Sequence, residues 1–229
     1  MIDSHCHLYE LDESEWVNSG LEAMICVGAD VETSLRSIEL ANKYPEVYAT
    51  VGMHPEGIFN FQFSIYKQLL NLSKSKKTVA IGECGLDTGS DEEIELFKFN
   101  IKLAQETGLP LVVHCRDQFE KIFDVLDLDR VQMHCFTGNE EEMRECVRRG
   151  WYISFGGILT FKKSGELRRV AKLVPEELLL VETDSPYLSP EPVRGTKNVP
   201  TNVKYVVDCL AKSNMEQITS ENARRLFGI

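Results

Sequence analysis

The chain carries five histidines, His5, His7, His54, His114 and His134, and each lies at or just past the end of an apolar run that reads as a β-strand. Glu83, in AIGECGLD, and Asp184, in LLLVETDSP, hold equivalent positions. Imidazole nitrogen and carboxylate oxygen are donors that Zn, Mn, Co or Fe accept, and mixed sites of this kind also take Mg. His5 and His7 are separated by one residue, so on an extended strand both rings face one side and suit a single ion. An HxH pair recurs by chance. This one gains weight from its place in the first strand and from the donors that follow. One histidine at a strand end is most often structural, but five with two carboxylates at matching positions are poorly explained that way. Together the donors exceed what one tetrahedral ion takes, which points to a two-metal centre with a bridging carboxylate.

Such donors need a scaffold that brings strand ends together. Short apolar runs occupy residues 1–7, 23–27, 47–52, 78–82, 111–114, 131–134, 152–155 and 178–183. Most are rich in Val and Ile and apolar on both faces, as strands covered on both sides are. Helical patterns lie between them. Ser90-x-x-Glu93 reads as a capping box opening a helix that buries Ile94, Phe97, Ile101 and Ala104 and stops at Gly108 and Pro110. Asn139-x-x-Glu142 opens another, with Met143, Cys146 and Val147 inward and Gly150 after it. The alternation predicts an α/β fold, a TIM-type (β/α)8 barrel, as one compact domain over residues 1–229. A doubly wound open sheet is the rival, but no GxGxxG or Walker A stretch follows the first strand. In a parallel barrel the C-terminal strand ends share the rim that carries active sites.

Composition narrows the classes. With 43% hydrophobic and 27% charged residues, disorder and coiled coil are excluded. No apolar run approaches the roughly 20 residues that span a bilayer, and MIDSHCH does not resemble a signal peptide, so no membrane partner and a cytoplasmic location are expected. A net charge of −11 disfavours a protein that coats DNA. Seven cysteines without a CxxC pair indicate neither a disulfide framework nor a zinc ribbon. Cys6, Cys84, Cys115 and Cys135 adjoin candidate ligands, and strand alternation turns them outward as small buried hydrophobes rather than ligands. Residues 192–207 hold Arg194, Lys197 and Lys204 without an acid and read as a phosphate-docking loop, whereas residues 160–174, with Lys162, Lys163, Arg168, Arg169 and Lys172, read as a solvated helix face.

The ordered blocks DSHCHL, VGMHPE, AIGECGLD, LVVHCRD, MHCFTG, SFGG, ETDSPYL, RGTKNVP and NARRLFG resemble those of the TatD family of metal-dependent hydrolases, from Ile2 to the C-terminus. That family consists of TIM barrels of the amidohydrolase-like superfamily. The resemblance implies a phosphodiesterase or deoxyribonuclease, exonuclease-like, using two divalent ions (Mg, Mn, Zn or Co). It implies His5 and His7 as ligands of the first metal, Glu83 as the catalytic bridging carboxylate, and His114 and His134 as ligands of the second. Asp184 would bind the first metal and handle the proton of the attacking water. His54, Arg116, Arg194 and Lys197 would contact substrate, Asp117 belonging to the same block as Arg116 and Asn198 to that of Lys197. The chain departs from the family after Asp87, where TGSDEEIE is short and acidic, and between Glu10 and Glu22, which hold five acids and no base. The expected partner is therefore a DNA end or a small phosphoester, met by a monomer. Hydrolysis of a small phosphoester, lactone or amide is the alternative, since fold does not select the reaction. A barrel that keeps metal only for folding is a third reading, opposed by the full donor set.

Overall fold

Eight strands pair in parallel in chain order: β1 (Ile2–Cys6), β2 (Ala23–Cys26), β3 (Val47–Val51), β4 (Thr78–Leu86), β5 (Leu111–Cys115), β6 (Val131–Met133), β7 (Tyr152–Phe155) and β8 (Leu179–Val181). This computed structural model describes residues 1–60 and 63–229, and the side chains of residues 58–60 and 63 lie outside the description. The ring closes where chain beyond β8 meets β1. Cys6 bridges Ser185, the Asp184 amide donates to the His5 carbonyl at 2.9 Å, and the His7 amide donates to the Ser185 carbonyl at 2.7 Å. The open-sheet alternative is thereby excluded, and the seam lies beside three of the candidate ligands.

Eight helices among the described residues cover the sheet: α1 (Val31–Lys43), α2 (Phe63–Leu72), α3 (Asp91–Thr107), α4 (Phe119–Val125), α5 (Glu140–Arg148), α6 (Gly165–Leu173), α7 (Val203–Leu210) and α8 (Met215–Phe227). In α3, Phe97, Ile101 and Ala104 are buried as their spacing predicts, while Ile94 only packs at the margin. Its start differs from the expected reciprocal box. Ser90 Oγ accepts from the Glu93 amide, but the Glu93 carboxylate receives the amides of Asp87, Thr88 and Gly89 instead. That carboxylate shapes the loop after β4. Asn139 and Glu142 do form both halves of a box at the start of α5. Met143 and Cys146 are buried there, with Val147 partly so. Helix α3 also reaches the rim: buried Asn100 clamps Met53 through its amide (3.0 Å) and carbonyl (3.1 Å), fixing the turn that carries His54.

One strand runs further than the sequence pattern suggested. Strand β4 continues to Leu86, so Glu83 lies within it and not past its end. Glycine normally punctuates a strand. Here the register against β5 shifts between Ile81 and Cys84, a bulge that contains Gly82 with a φ of +133°, and Gly85, with a φ of +140°, follows where regular pairing has resumed opposite His114. A Cβ on Gly85 would overlap the His114 carbonyl oxygen, so the two strands approach only because that position is bare. Gly85→Ala should accordingly lose about 2–4 kcal/mol of stability through strain and forced separation of β4 from β5. Urea unfolding monitored by far-UV circular dichroism reads this directly, and an unchanged midpoint would refute the close approach of the two strands at this position.

Candidate metal centre

Glu83 stands in the middle of the rim, almost fully buried, with its two oxygens facing different partners. Oε2 lies 3.5 Å from His5 Nε2 and 3.9 Å from His7 Nε2. Oε1 lies 2.9 Å from His134 Nε2, 3.4 Å from His114 Nδ1 and 3.6 Å from His54 Nε2. Asp184 joins the Oε2 side, with Oδ1 3.3 Å from His7 Nε2 and 3.6 Å from His5 Nε2. The structure thus brings His5, His7, His54, Glu83, His114, His134 and Asp184 to one place. Donor atoms of His5, His7 and Asp184 form one group within ion-binding reach, those of His5, His134 and Glu182 another, and those of His54, Glu83 and His114 a third.

The arrangement fits a divalent cation. Among the described residues neither ring nitrogen of buried His5 has a hydrogen-bond partner, which is costly unless an electrophile meets them. The other cluster histidines have their second nitrogen held from behind. His7 Nδ1 meets Tyr9 Oη at 2.9 Å and the Val27 carbonyl at 3.2 Å. His114 Nε2 meets Asp87 Oδ1 at 3.1 Å, and His134 Nδ1 meets Glu182 Oε1 at 3.3 Å. Such partners orient a ring and raise its basicity, as they do for metal ligands. His54 differs. Its Nδ1 accepts the Glu56 amide at 3.2 Å, so the neutral ring carries its proton on Nε2, toward the cluster.

Electrostatics follow from burial and the short distances. Burial opposes ionisation of Glu83, yet His134, His114 and His5 outweigh it and hold the carboxyl well below its usual range. For Asp184 burial is likewise outweighed, by His7, His5 and His134, and the group stays ionised. Burial lowers the basicity of His134, but Glu83 and Glu182 more than reverse this and raise it well above the ordinary value. His5 and His54 shift downward, chiefly through burial.

Sequence reasoning missed several contributors. Glu182 is wholly buried, accepts the Cys135 amide at 2.7 Å and meets Gln132 Nε2 at 3.2 Å besides orienting His134. It stands two residues before Asp184, and that same-face spacing was an available signal. Asp87 holds both His114 and, at 3.0 Å, Arg116 Nε. Asp3 receives the Thr183 amide at 2.9 Å beneath the seam, and burial pushes its carboxyl up to about 8.

The basic residues divide. Arg116 lines a cavity of about 330 Å³ with His114, His134, Asp184 and Tyr187. Arg194 instead stacks on the Phe161 ring at 3.6 Å, and Lys197 pairs with Glu15 at 2.7 Å. The cysteines also divide. Cys6 and Cys84 are fully buried, donating to the Ile25 and Val112 carbonyls. Cys115 and Cys135, expected to be buried behind the strands, are half-buried and line the cavity. Cys115 is the last residue of β5, still paired with Leu86 and packed against the core, so its partial exposure comes from standing at the strand's end, whereas Cys135 lies past β6 with a φ of 44°, where strand alternation no longer governs it. Among the described residues, no thiol belongs to a group able to hold an ion.

A (β/α)8 barrel whose C-terminal rim gathers imidazoles and carboxylates has the architecture of the metal-dependent hydrolases. The chain belongs to the TatD family, matching the family described as TatD related DNase over residues 2–228. It is 37% identical to an uncharacterized metal-dependent hydrolase, YabD, of Bacillus subtilis (strain 168), over 100% of this chain and 99% of that one. It is 31% identical to the 3'-5' ssDNA/RNA exonuclease TatD of Escherichia coli (strain K12), over 93% of this chain and 90% of the relative. The crystal structure of YJJV, a TatD homolog from Escherichia coli K12, superposes with a TM-score of 0.91 at 27% identity, covering 100% of this chain and 98% of that one.

Cysteine accessibility gives a direct check of the rim. In the folded protein Cys115, Cys135 and Cys209 should react slowly with N-ethylmaleimide, while Cys6, Cys26, Cys84 and Cys146 stay unmodified until unfolding. Burial slows even the exposed set, pushing the Cys115 thiol up to about 12. Peptide mass mapping separates the groups, and early labelling of Cys84 would contradict the β4 register.

Proposed function

We propose that this metal-dependent hydrolase cleaves phosphodiester bonds at the ends of single-stranded nucleic acid, using two divalent ions drawn from Mg, Mn, Zn or Co. The observation that carries the reading is the split of the Glu83 carboxylate between two sets of imidazoles. His5, His7 and Asp184 would hold one ion, His114 and His134 the other, and Glu83 both. Bound there, the ions supply the Lewis-acid charge that neutralises phosphate oxygens and acidifies water. Asp184, ionised and held by His7, orients the attacking water and takes its proton. His54 presents Nε2–H to a phosphate oxygen, a substrate contact rather than ligation, since its Nδ1 already accepts the Glu56 amide. Arg116 stands at the cavity, its charge already met in part by Asp87 at 3.0 Å. Arg194 and Lys197, engaged with Phe161 and Glu15, would have to exchange those partners to meet phosphate.

The single-strand preference rests on charge. At −11 the chain lacks the basic surface that supplies most non-specific affinity for long duplexes. The acidic mouth supports a second reading, a small phosphoester, lactone or amide as substrate, because Asp30, Glu32 and Glu56 line a cleft of about 350 Å³ beside His54. Comparing turnover of a single-stranded oligonucleotide with that of small esters and lactones, metal present, decides between them. The protein would work in the cytoplasm as a monomer. Among the described residues no helix is long and apolar enough to cross a membrane, and the exposed large apolar side chains are only Leu35, Leu173 and Tyr187.

Chelation should abolish turnover, and adding back a divalent ion should restore it. Asp184→Asn should lower kcat ~10²–10⁴-fold with the fold intact, because the amide cannot take a proton. His114→Ala should instead recover much of its activity at high metal concentration. Glu182→Gln should weaken metal affinity by about 10–100-fold through loss of His134 orientation. Titration calorimetry with Mn, together with turnover against metal concentration, checks all three variants. Full rescue of Asp184→Asn by metal would remove its proton-transfer role.

A further inference from the structure

The 330 Å³ cavity beside Asp184 holds an aromatic ring that the reaction described above leaves unused. Tyr187 is 49% exposed, and the other exposed large apolar side chains among the described residues, Leu35 and Leu173, lie on the outer helices α1 and α6. Leaving an aromatic ring in water forgoes its burial, and this one is nonetheless fixed at both ends. Its hydroxyl donates to Glu10 Oε2 at 2.6 Å. Its amide donates to the Asp184 carbonyl at 2.9 Å, and its carbonyl accepts Asn198 Nδ2 at 2.7 Å. Asn198 is wholly buried and also holds the Thr183 carbonyl at 2.8 Å, tying the Tyr187 loop to the strand end that delivers Asp184. The ring stands edge-on to His7, centroids 5.8 Å apart and planes at 71°. It is therefore preorganised next to the cluster, so ordering it costs little when a ligand arrives.

The rest of the lining suits one kind of occupant. His114, His134 and Asp184 form the cluster side, Arg116 adds a cation that is paired with Asp87, and Ile158 and Leu188 add apolar surface. A π face, an apolar wall, a cation and an anion-accepting centre match the base, sugar and phosphate of a nucleotide. The volume sits at the small end of ligand pockets, ~300–1,000 Å³, enough for one residue and too little for a base pair.

We propose that this cavity is a one-nucleotide subsite in which Tyr187 stacks on the base adjoining the scissile phosphate. This rests on the phosphodiesterase reading and adds to it the group that is recognised. The base must leave the duplex stack to enter, which favours single strands, and stacking tolerates every base because each has a π face.

The test uses matched single-stranded oligonucleotides that carry either a base or an abasic residue at the terminal positions, assayed from both ends with Mn present. For the wild type, kcat/KM should be about 5–100-fold higher with the base. Y187F keeps the ring and should keep most of that ratio, whereas Y187L should bring it to within about twofold of unity. Thermal melting establishes that both variants are folded. A wild-type ratio near one, or an undiminished ratio in Y187L, overturns the stacking role while leaving the phosphodiesterase reading standing. Failure of the wild type to cleave either oligonucleotide while it hydrolyses small esters overturns that reading and the subsite with it.

Discussion

A single buried carboxylate organises this molecule. Glu83 sits where water is nearly excluded, and an uncompensated charge there would be expensive. Compensation comes from imidazoles delivered by β1, β5 and the chain just beyond β3 and β6, each within 4 Å of one of its two oxygens. That requirement explains features that look unrelated along the chain: bare backbone at Gly82 and Gly85, the Asn100 clamp on the His54 turn, and Glu182 and Asp87 behind His134 and His114. Each sets the angle or distance at which a ring meets Glu83.

Much of this was legible in the sequence because barrels convert strand order into spatial neighbourhood. Once eight apolar runs had been recognised, the histidines at their ends had to share a rim, and His5 and His7 had to face together. What escaped had definite causes. Glu182 was overshadowed by Asp184 although it sits on the same face. Asp87 ends a recognised block, and only the structure shows the segment after it folded back by the Glu93 carboxylate. Cys135 was misplaced because strand alternation was extended past the end of β6, and Cys115, though packed behind its strand, is only half-buried because β5 ends there. Tyr187 was an unexplained letter in a recognised block, since exposure cannot be read from residue type.

Charge shows the same limit from another side. The acids of the rim loops suggest a uniformly repulsive mouth, but many have local partners. Glu10 accepts the Tyr187 hydroxyl, Glu13 pairs with Lys43, Glu15 pairs with Lys197, and Glu93 binds backbone amides. Surface pairs of this sort contribute little stability. Their effect is to fix side chains at the mouth and reduce its net repulsion, which the sequence total alone cannot convey.

The barrel seam has a temporal meaning. Roughly 180 residues separate His5 and His7 from Asp184 and the chain that bonds to β1, a long loop whose closure carries an entropic cost. Until that segment docks, the early histidines lack both their carboxylate partner and their backbone neighbours. An ion shared by His5, His7 and Asp184 would therefore act as a clasp across the seam. Ion capture would then report docking of that segment, since a product truncated before Asp184 would hold His5 and His7 without the group that closes their site.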